Sequence, residues 1–400
     1  MAAGYAQFSV AVALPDIAAA FGTVQEGTTV AAAVGLSATT LGIGLGIIRL
    51  ASLGALPLAS LADRHGRRRV LLGCAAVGLA LTALGALSPS YWWFVAIFAL
   101  GRPLLSAVNA VAGVIAAEET SSADRAKAIA LLAAAYGTGS GTAALTRAAF
   151  GGALGFRGLF ALALLPLLAL PLLARLIEEP DRYETLRERA RRSRWRERVG
   201  RLGAAGVRAR ILLMAALTFG IAFVTGPVNS YLFVYGERVL GMAPSSLAFS
   251  VIAAGPVGLA GLLLGRWASD RVGRRGTAGL GQMLVAAAGA LTYSGGPVRA
   301  VGGYLLTILV ASAYAPAGGA LGAELFPTSL RSTAAGCFTA AGVLGAVGGL
   351  VAFGVLADLL GGFDRAALAL AIPVAVVSGL YWLLPETMGQ ELEQSAPEPV

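Results

Sequence analysis

The chain has 400 residues, 57% of them apolar and 13% charged, with a mean hydropathy of +0.77; this composition cannot clothe a water-soluble surface, so lipid is the expected solvent. Lipid offers no hydrogen bonds, which restricts spanning elements to helices or closed barrels, and the apolar runs here far exceed the roughly 9–11 residues of a barrel strand. The formal charge of +9 is almost wholly arginine, Lys127 being the one lysine, and these cations fall between apolar runs instead of on one face of a soluble domain, which excludes nucleic acid as a partner.

A helix crossing about 30 Å of hydrocarbon needs about 20 residues. On that basis about twelve spans are expected, over 1–20, 33–60, 70–88, 91–117, 127–153, 158–177, 208–234, 245–268, 277–295, 299–323, 332–359 and 366–384. Met1 is followed by Ala-Ala-Gly-Tyr with no basic stretch, which argues against a cleaved signal peptide. Even-to-odd connections carry Arg64, Arg67, Arg68 and Arg69, then Arg125 and Lys127, then Arg271, Arg274 and Arg275, then Arg331. The opposite connections hold only isolated cations such as Arg157, Arg238, Arg299 and Arg365. The basic side is therefore expected in the cytoplasm, with both termini on that side of the cytoplasmic (inner) membrane. Cys74 and Cys337 sit inside apolar runs and read as small buried side chains, not as a disulfide or metal pair.

The longest hydrophilic stretch, from Arg175 to Arg210, is crowded with arginine and reads as a cytoplasmic linker beside anionic headgroups. It divides the chain into an N-terminal six-helix half over 1–177, a linker over 178–207, a C-terminal half over 208–384 and a cytoplasmic tail over 385–400. The halves repeat. Asp63-Arg64-His65-Gly66-Arg67-Arg68 returns 207 residues later as Asp270-Arg271-Val272-Gly273-Arg274-Arg275, and Glu118 with Arg125 returns 206 residues later as Glu324 with Arg331. Rare charged motifs in one register imply two parallel halves, the arrangement tied to alternating access around a midplane site.

These residues resemble the major facilitator superfamily. The stretch Leu61-Ala62-Asp63-Arg64-His65-Gly66-Arg67-Arg68-Arg69 is similar to its signature between the second and third helices, and Ala268 to Arg275 to the weaker second copy. Glu324-Leu325-Phe326-Pro327-Thr328-Ser329-Leu330-Arg331 and Pro385-Glu386-Thr387-Met388-Gly389 are similar to the sugar-porter branch and its metabolite-carrying relatives. The resemblance implies an all-α membrane transporter in two pseudo-symmetric bundles. Its cargo would be a small polar metabolite, an organic anion or a sugar-like solute, taken up with a proton or another ion, and a monomer is the expected form. Ala59 and Arg266 stand where the motif carries glycine, and Gly4-Tyr5-Ala6-Gln7 where the family often carries a carboxylate. The Asp63, Arg64, Gly66, Arg67, Asp270, Arg271, Gly273 and Arg274 clusters, with Glu118, Arg125, Glu324 and Arg331, are expected to make contacts that form in one transport state and release in the other.

Charges inside spans cost about 2.5–3.5 kcal/mol each at the bilayer centre and should face the bundle interior. Arg102 lies eleven residues into the fourth span, near the midplane, whereas Arg49 reads as in the cytoplasmic part of the second and Arg147 as towards the outer end of the fifth. Asp16 and Asp358 are the embedded acids, both near outer ends. Arg102 is a fork for a carboxylate or phosphate unless helix-end carbonyls or Glu118 satisfy it. Asn109, Tyr136, Asn229, Tyr231, Tyr235 and Tyr314, with Gln7 and Thr339, complete the candidate substrate-binding set. Drug efflux and a transport-dead sensor are the alternatives within this fold. An enzyme is excluded by the lack of a catalytic constellation at membrane depth, no metal site or cofactor is expected, and no nucleotide-binding loop is present.

Overall fold

A computed structural model of the chain describes residues 1–23, 33–120, 124–176 and 205–389. The expected linker lies almost wholly outside these residues, as do the side chains of Asp63, Glu118 and Arg125. The elements are helical throughout the described residues: α1 (Ala2–Val12), α2 (Leu14–Phe21), α3 (Ala38–Ala51), α4 (Ala55–His65), α5 (Arg67–Leu84), α6 (Tyr91–Glu119), α7 (Arg125–Ala161) and α8 (Leu164–Leu176) precede the linker. After it come α9 (Ala205–Val234), α10 (Pro244–Arg271), α11 (Arg274–Thr292), α12 (Pro297–Glu324), α13 (Thr328–Leu359) and α14 (Phe363–Val377).

Among the described residues nine helices are long and apolar enough to cross a bilayer, and the bent pair α1 and α2 makes ten. The 50° bend falls where Pro15 has no N–H to continue the ladder. The fifth and sixth expected spans run into one another, because the connection has shrunk to Gly155 at φ 56°, ψ −171°, a conformation open to glycine. The sixth thus continues from there through the short apolar α8, and α11, with its Arg-rich first turn, supplies the ninth. A three-residue 3₁₀ turn, Ser52–Gly54, joins α3 to α4 within the second span.

Helices before the linker pack mainly on one another, as do those after it, and the two sets meet where α3 crosses α13 and α7 crosses α10. The α3–α13 crossing is close: a Cβ on Gly42 would stand 2.5 Å from the Leu350 carbonyl oxygen, and one on Gly354 would stand 2.2 Å from that of Ala38. Backbones approach this nearly only where side chains are absent, which is how helices associate in a solvent that supplies no hydrophobic drive.

The repeated motif has a repeated backbone. Gly66, between α4 and α5, has φ 98° and ψ 138°, and Gly273, between α10 and α11, has φ 107° and ψ 156°. In the second copy the first N–H groups of α11 find a carboxylate: Arg274 N and Arg275 N donate to Glu386 Oε1 and Oε2 at 2.9 and 3.1 Å. An anion at a helix N-terminus satisfies orphan donors and opposes the dipole. Arg274 also donates to Glu324 at 3.2 Å and to Asp270 at 3.2 Å, and Thr387 donates its hydroxyl to Glu324. The start of the tail is thereby folded onto the basic end of the bundle, with Thr387 and Leu384 buried. Arg271 lies over the Trp267 ring, Arg331 donates to the Ala323 carbonyl, and Arg64 is exposed.

Gly273→Ala forces a side chain into a left-handed conformation and sets its Cβ 2.7 Å from Glu386 Oε2. We predict a loss of about 1–3 kcal/mol, read as a lowered melting temperature in detergent, with Glu386→Ala no worse in the Gly273→Ala background than alone.

Candidate functional site

A cavity of about 1370 Å³ lies between the two sets of helices. Its depth is set by counting: Arg49 is the eleventh residue beyond Ala38, the start of α3, and Arg102 the eleventh beyond Tyr91, the start of α6. Both helices start at the end opposite the basic loops, so each arginine lies about 16 Å in, at one level. Arg49 is therefore closer to the midplane than the cytoplasmic part of the span in which the sequence placed it. The two helices pack at this level through the turn after α3, where Gly54 presses on the α6 proline next to Arg102; a Cβ on Gly54 would stand 3.0 Å from Pro103 Cβ.

Four side chains form the polar floor: Gln7 on α1, Arg49 on α3, Arg102 on α6 and Tyr136 on α7. Tyr136 donates its hydroxyl to Gln7 Oε1 at 3.3 Å, which occupies the acceptor of that amide. Left without a partner are Gln7 Nε2, Arg49 Nε and Arg102 Nε, all buried and all donors. Arg102 makes no hydrogen bond to a helix-end carbonyl, and Glu118 lies sixteen residues further along the same helix, about 24 Å away. The two guanidiniums repel each other and share the Tyr136 hydroxyl as electrostatic neighbour.

Nearby hydroxyls are already committed. Thr82, Ser140, Thr142 and Thr225 each donate to the carbonyl four residues back, and Asn229 Nδ2 donates to the Thr225 carbonyl at 2.8 Å. The lining from helices after the linker, including Thr225, Asn229, Ser230, Tyr304 and Ser312, bears no charge. The cavity runs to Lys127 at the basic end of α7, whose side chain is 82% exposed and pairs with Asp124. Among its described lining residues are three cations and no carboxylate.

Of the substrate-binding candidates, Arg102, Tyr136 and Asn229 line the cavity together, joined by Gln7. Asn109, Tyr231, Tyr235, Tyr314 and Thr339 do not. Tyr231 is wholly buried and donates to the Ala38 carbonyl across the α9–α3 boundary. Tyr235 donates to the Tyr293 carbonyl and Tyr314 shares a hydrogen bond with Tyr381, so these hydroxyls serve packing. Asn109 is half-buried on α6 away from the cavity, and Thr339 donates to its own helix.

The far end is closed by polar ties that the sequence reading did not assemble. Arg147 donates through Nε and Nη2 to both oxygens of Asp16, at 2.7 and 2.8 Å, and to Glu237 beyond α9. Glu237 reaches it because the chain widens into a π turn over Tyr235–Val239, a signal no periodicity carries. Asp358 on α13 accepts from Ala38 N at 3.1 Å, Thr39 N at 2.8 Å and the Thr39 hydroxyl at 2.6 Å, capping α3 from the opposite half. Arg238 donates to the Pro15 carbonyl beside it.

A cavity open at one end of two packed bundles narrows the comparison to one family. The profile of the Major Facilitator Superfamily matches residues 1–309. The chain belongs to the major facilitator superfamily. Its fold is that of the inward-open xylose transporter XylE from E. coli, with a TM-score of 0.72 at 19% identity over 98% of this chain and 97% of that one. A D-xylose-proton symporter gives 0.71 at 20% identity, covering 97% of each chain. A bacterial homologue of the human lysosomal transporter Spinster, inward-facing and unoccupied, gives 0.72 at 15% identity over 96% and 94%. No curated protein matches the chain in sequence. This superfamily member is a multi-pass membrane transporter with an all-α fold in two six-helix bundles.

Removing Arg147 leaves Asp16 and Glu237 facing each other without a cation, which opposes far-end closure. With Cys74 and Cys337 replaced by alanine, spin labels at Ser90→Cys and Val298→Cys, both exposed at the far end, should report a longer and broader distance in Arg147→Gln than in the parent.

Proposed function

We propose that the chain is a secondary transporter that carries a small organic anion across the cytoplasmic membrane by alternating access, with 1–177 and 208–384 rocking about the midplane cavity. The observation that supports this is the set of unfilled polar atoms: donors on Gln7, Arg49 and Arg102, with no carboxylate among the described lining residues. A buried charge without a partner costs several kcal/mol, so an occupant that brings acceptor oxygens and negative charge is the one the cavity binds. A neutral sugar would leave both guanidiniums unneutralised. The motif glycines and their charge clusters act in this reading as the hinge and clasp of the basic end.

With the basic loops in the cytoplasm, as the arginine distribution supports, the described state is inward-open: Lys127 marks the mouth and the Arg147 and Asp358 ties close the outside. Lys127 steers anions toward the arginines by long-range attraction. A proton carried through the cavity would need a group there that exchanges it, and no carboxylate is among the described lining residues. The anion's own charge is then the coupling quantity, as in uptake with a co-ion or exchange for a second anion.

In proteoliposomes, uptake of radiolabelled organic anions should exceed that of neutral sugars. Arg102→Gln and Arg49→Gln should each weaken binding of the most tightly held anion about 10–100-fold, the loss of one charge-assisted hydrogen-bonding partner. Unchanged anion uptake in both variants overturns the reading.

A further inference from the structure

The cavity holds not one arginine but two, and their arrangement carries the substrate class further. Arg49 and Arg102 come from different helices, α3 and α6, at the same depth. Their helices are held against each other where Gly54 meets the Pro103 side chain, so both arginines stay in the wall of one cavity. Two like charges held together in a membrane interior repel, and no acid among the described lining residues stands between them. The pairs that neutralise arginine elsewhere show what this fold does when it wants a silent cation: Arg147 has two carboxylates, and Arg274 has Glu324 and Asp270. At the midplane that compensation is missing for both residues.

One negative charge can silence only one of them. A monoanion placed between the two leaves a net positive charge desolvated in the closed cavity, whereas a dianion leaves none. The opposing wall imposes a second requirement. It is uncharged, with Asn229, Ser230 and Ser312 among apolar neighbours, so charge on the far side of the solute would find no cation there.

Resting on the anion reading above, the geometry points to a substrate whose two negative charges sit together at one end, as in a phosphate monoester or a malonate substituted on its central carbon, with an uncharged remainder facing Asn229 and Ser312. The headgroup accepts from Arg49 Nε, Arg102 Nε and Gln7 Nε2, the donors left open. Each arginine accounts for one unit of charge selectivity, so removing either converts a dianion site into a monoanion site instead of abolishing anion binding.

The test uses two series of nearly constant shape and stepped charge on the full chain in detergent: butylmalonate, its monoamide and its diamide, and glycerol phosphate with its methyl ester. Binding is read by competition and by thermal stabilisation at millimolar ligand. In the parent, at least one dianion should bind about 10–100-fold more tightly than its monoanion, the contrast expected of one extra charge-assisted contact. In Arg49→Gln and in Arg102→Gln that ratio should fall to about one, with monoanion binding retained, while Arg49→Lys and Arg102→Lys, which keep the charge, should keep the preference. Equal binding of dianion and monoanion in the parent overturns this inference while leaving the anion reading intact, as does a ratio unchanged in both glutamine variants. Stabilisation by monoanions but by no dianion overturns this inference alone, and stabilisation by the diamide and neutral sugars with none from any anion of either series overturns both.

Discussion

A chain in lipid must settle its hydrogen bonds internally, and nearly everything particular about this structure follows from that demand. Backbone groups are settled by helices. Hydroxyls in the spans turn back to the preceding turn, as Thr82, Thr142, Thr225 and Thr307 do. Helix ends are settled by carboxylates from distant sequence, Glu386 on α11 and Asp358 on α3. Against this accounting the midplane donors of Gln7, Arg49 and Arg102 stand out, because the polar atoms left open in the cavity lining are of one kind and one sign. An incomplete set of that composition describes the occupant it lacks.

The same economy explains why the protein can hold two states. At the far end the halves are joined by a few strong polar ties, by glycine-to-backbone contact between α3 and α13, and by an apolar core in which Leu14, Ile17 and Leu41 of one half pack with Tyr231, Phe233 and Phe353 of the other. Such an interface is discrete: the Arg147 fork either engages Glu237 or does not, and Asp358 either caps α3 or leaves it uncapped. Each half keeps its own internal ties, including the Arg68 bond to the Ala174 carbonyl in one and the Arg274, Glu324 and Glu386 cluster in the other. The halves can therefore move as bodies while the contact between them is exchanged.

Much of the fold was legible because membrane helices obey a simple length rule and because charged motifs are rare enough to mark a repeat; Gly66 and Gly273 adopt matching left-handed conformations where the motif copies fall. Arg102 was legible for the same reason that a lone charge in an apolar run is costly. Arg49 carries the same signal, but its level with Arg102 follows only once α3 is seen to start at Ala38 and to pack on α6 through Gly54. The tyrosines misled. A tyrosine in a span is equally suited to a solute and to a distant carbonyl, and Tyr231, Tyr235 and Tyr314 found protein partners. Glu237 was hidden because a π turn breaks the helical period that would have placed it.

The claim on which the account turns is that Arg49 and Arg102 are open because they await an anion. Ligand that binds only the native state raises its melting temperature by mass action. The direct measurement is therefore the melting temperature of the purified protein across organic anions and neutral sugars, alongside the Arg49→Gln/Arg102→Gln double variant. The account predicts stabilisation by anions that disappears in the double variant, together with a higher ligand-free melting temperature once the mutual repulsion is removed. Stabilisation by sugars alone, equal in parent and variant, would contradict it and make both arginines structural.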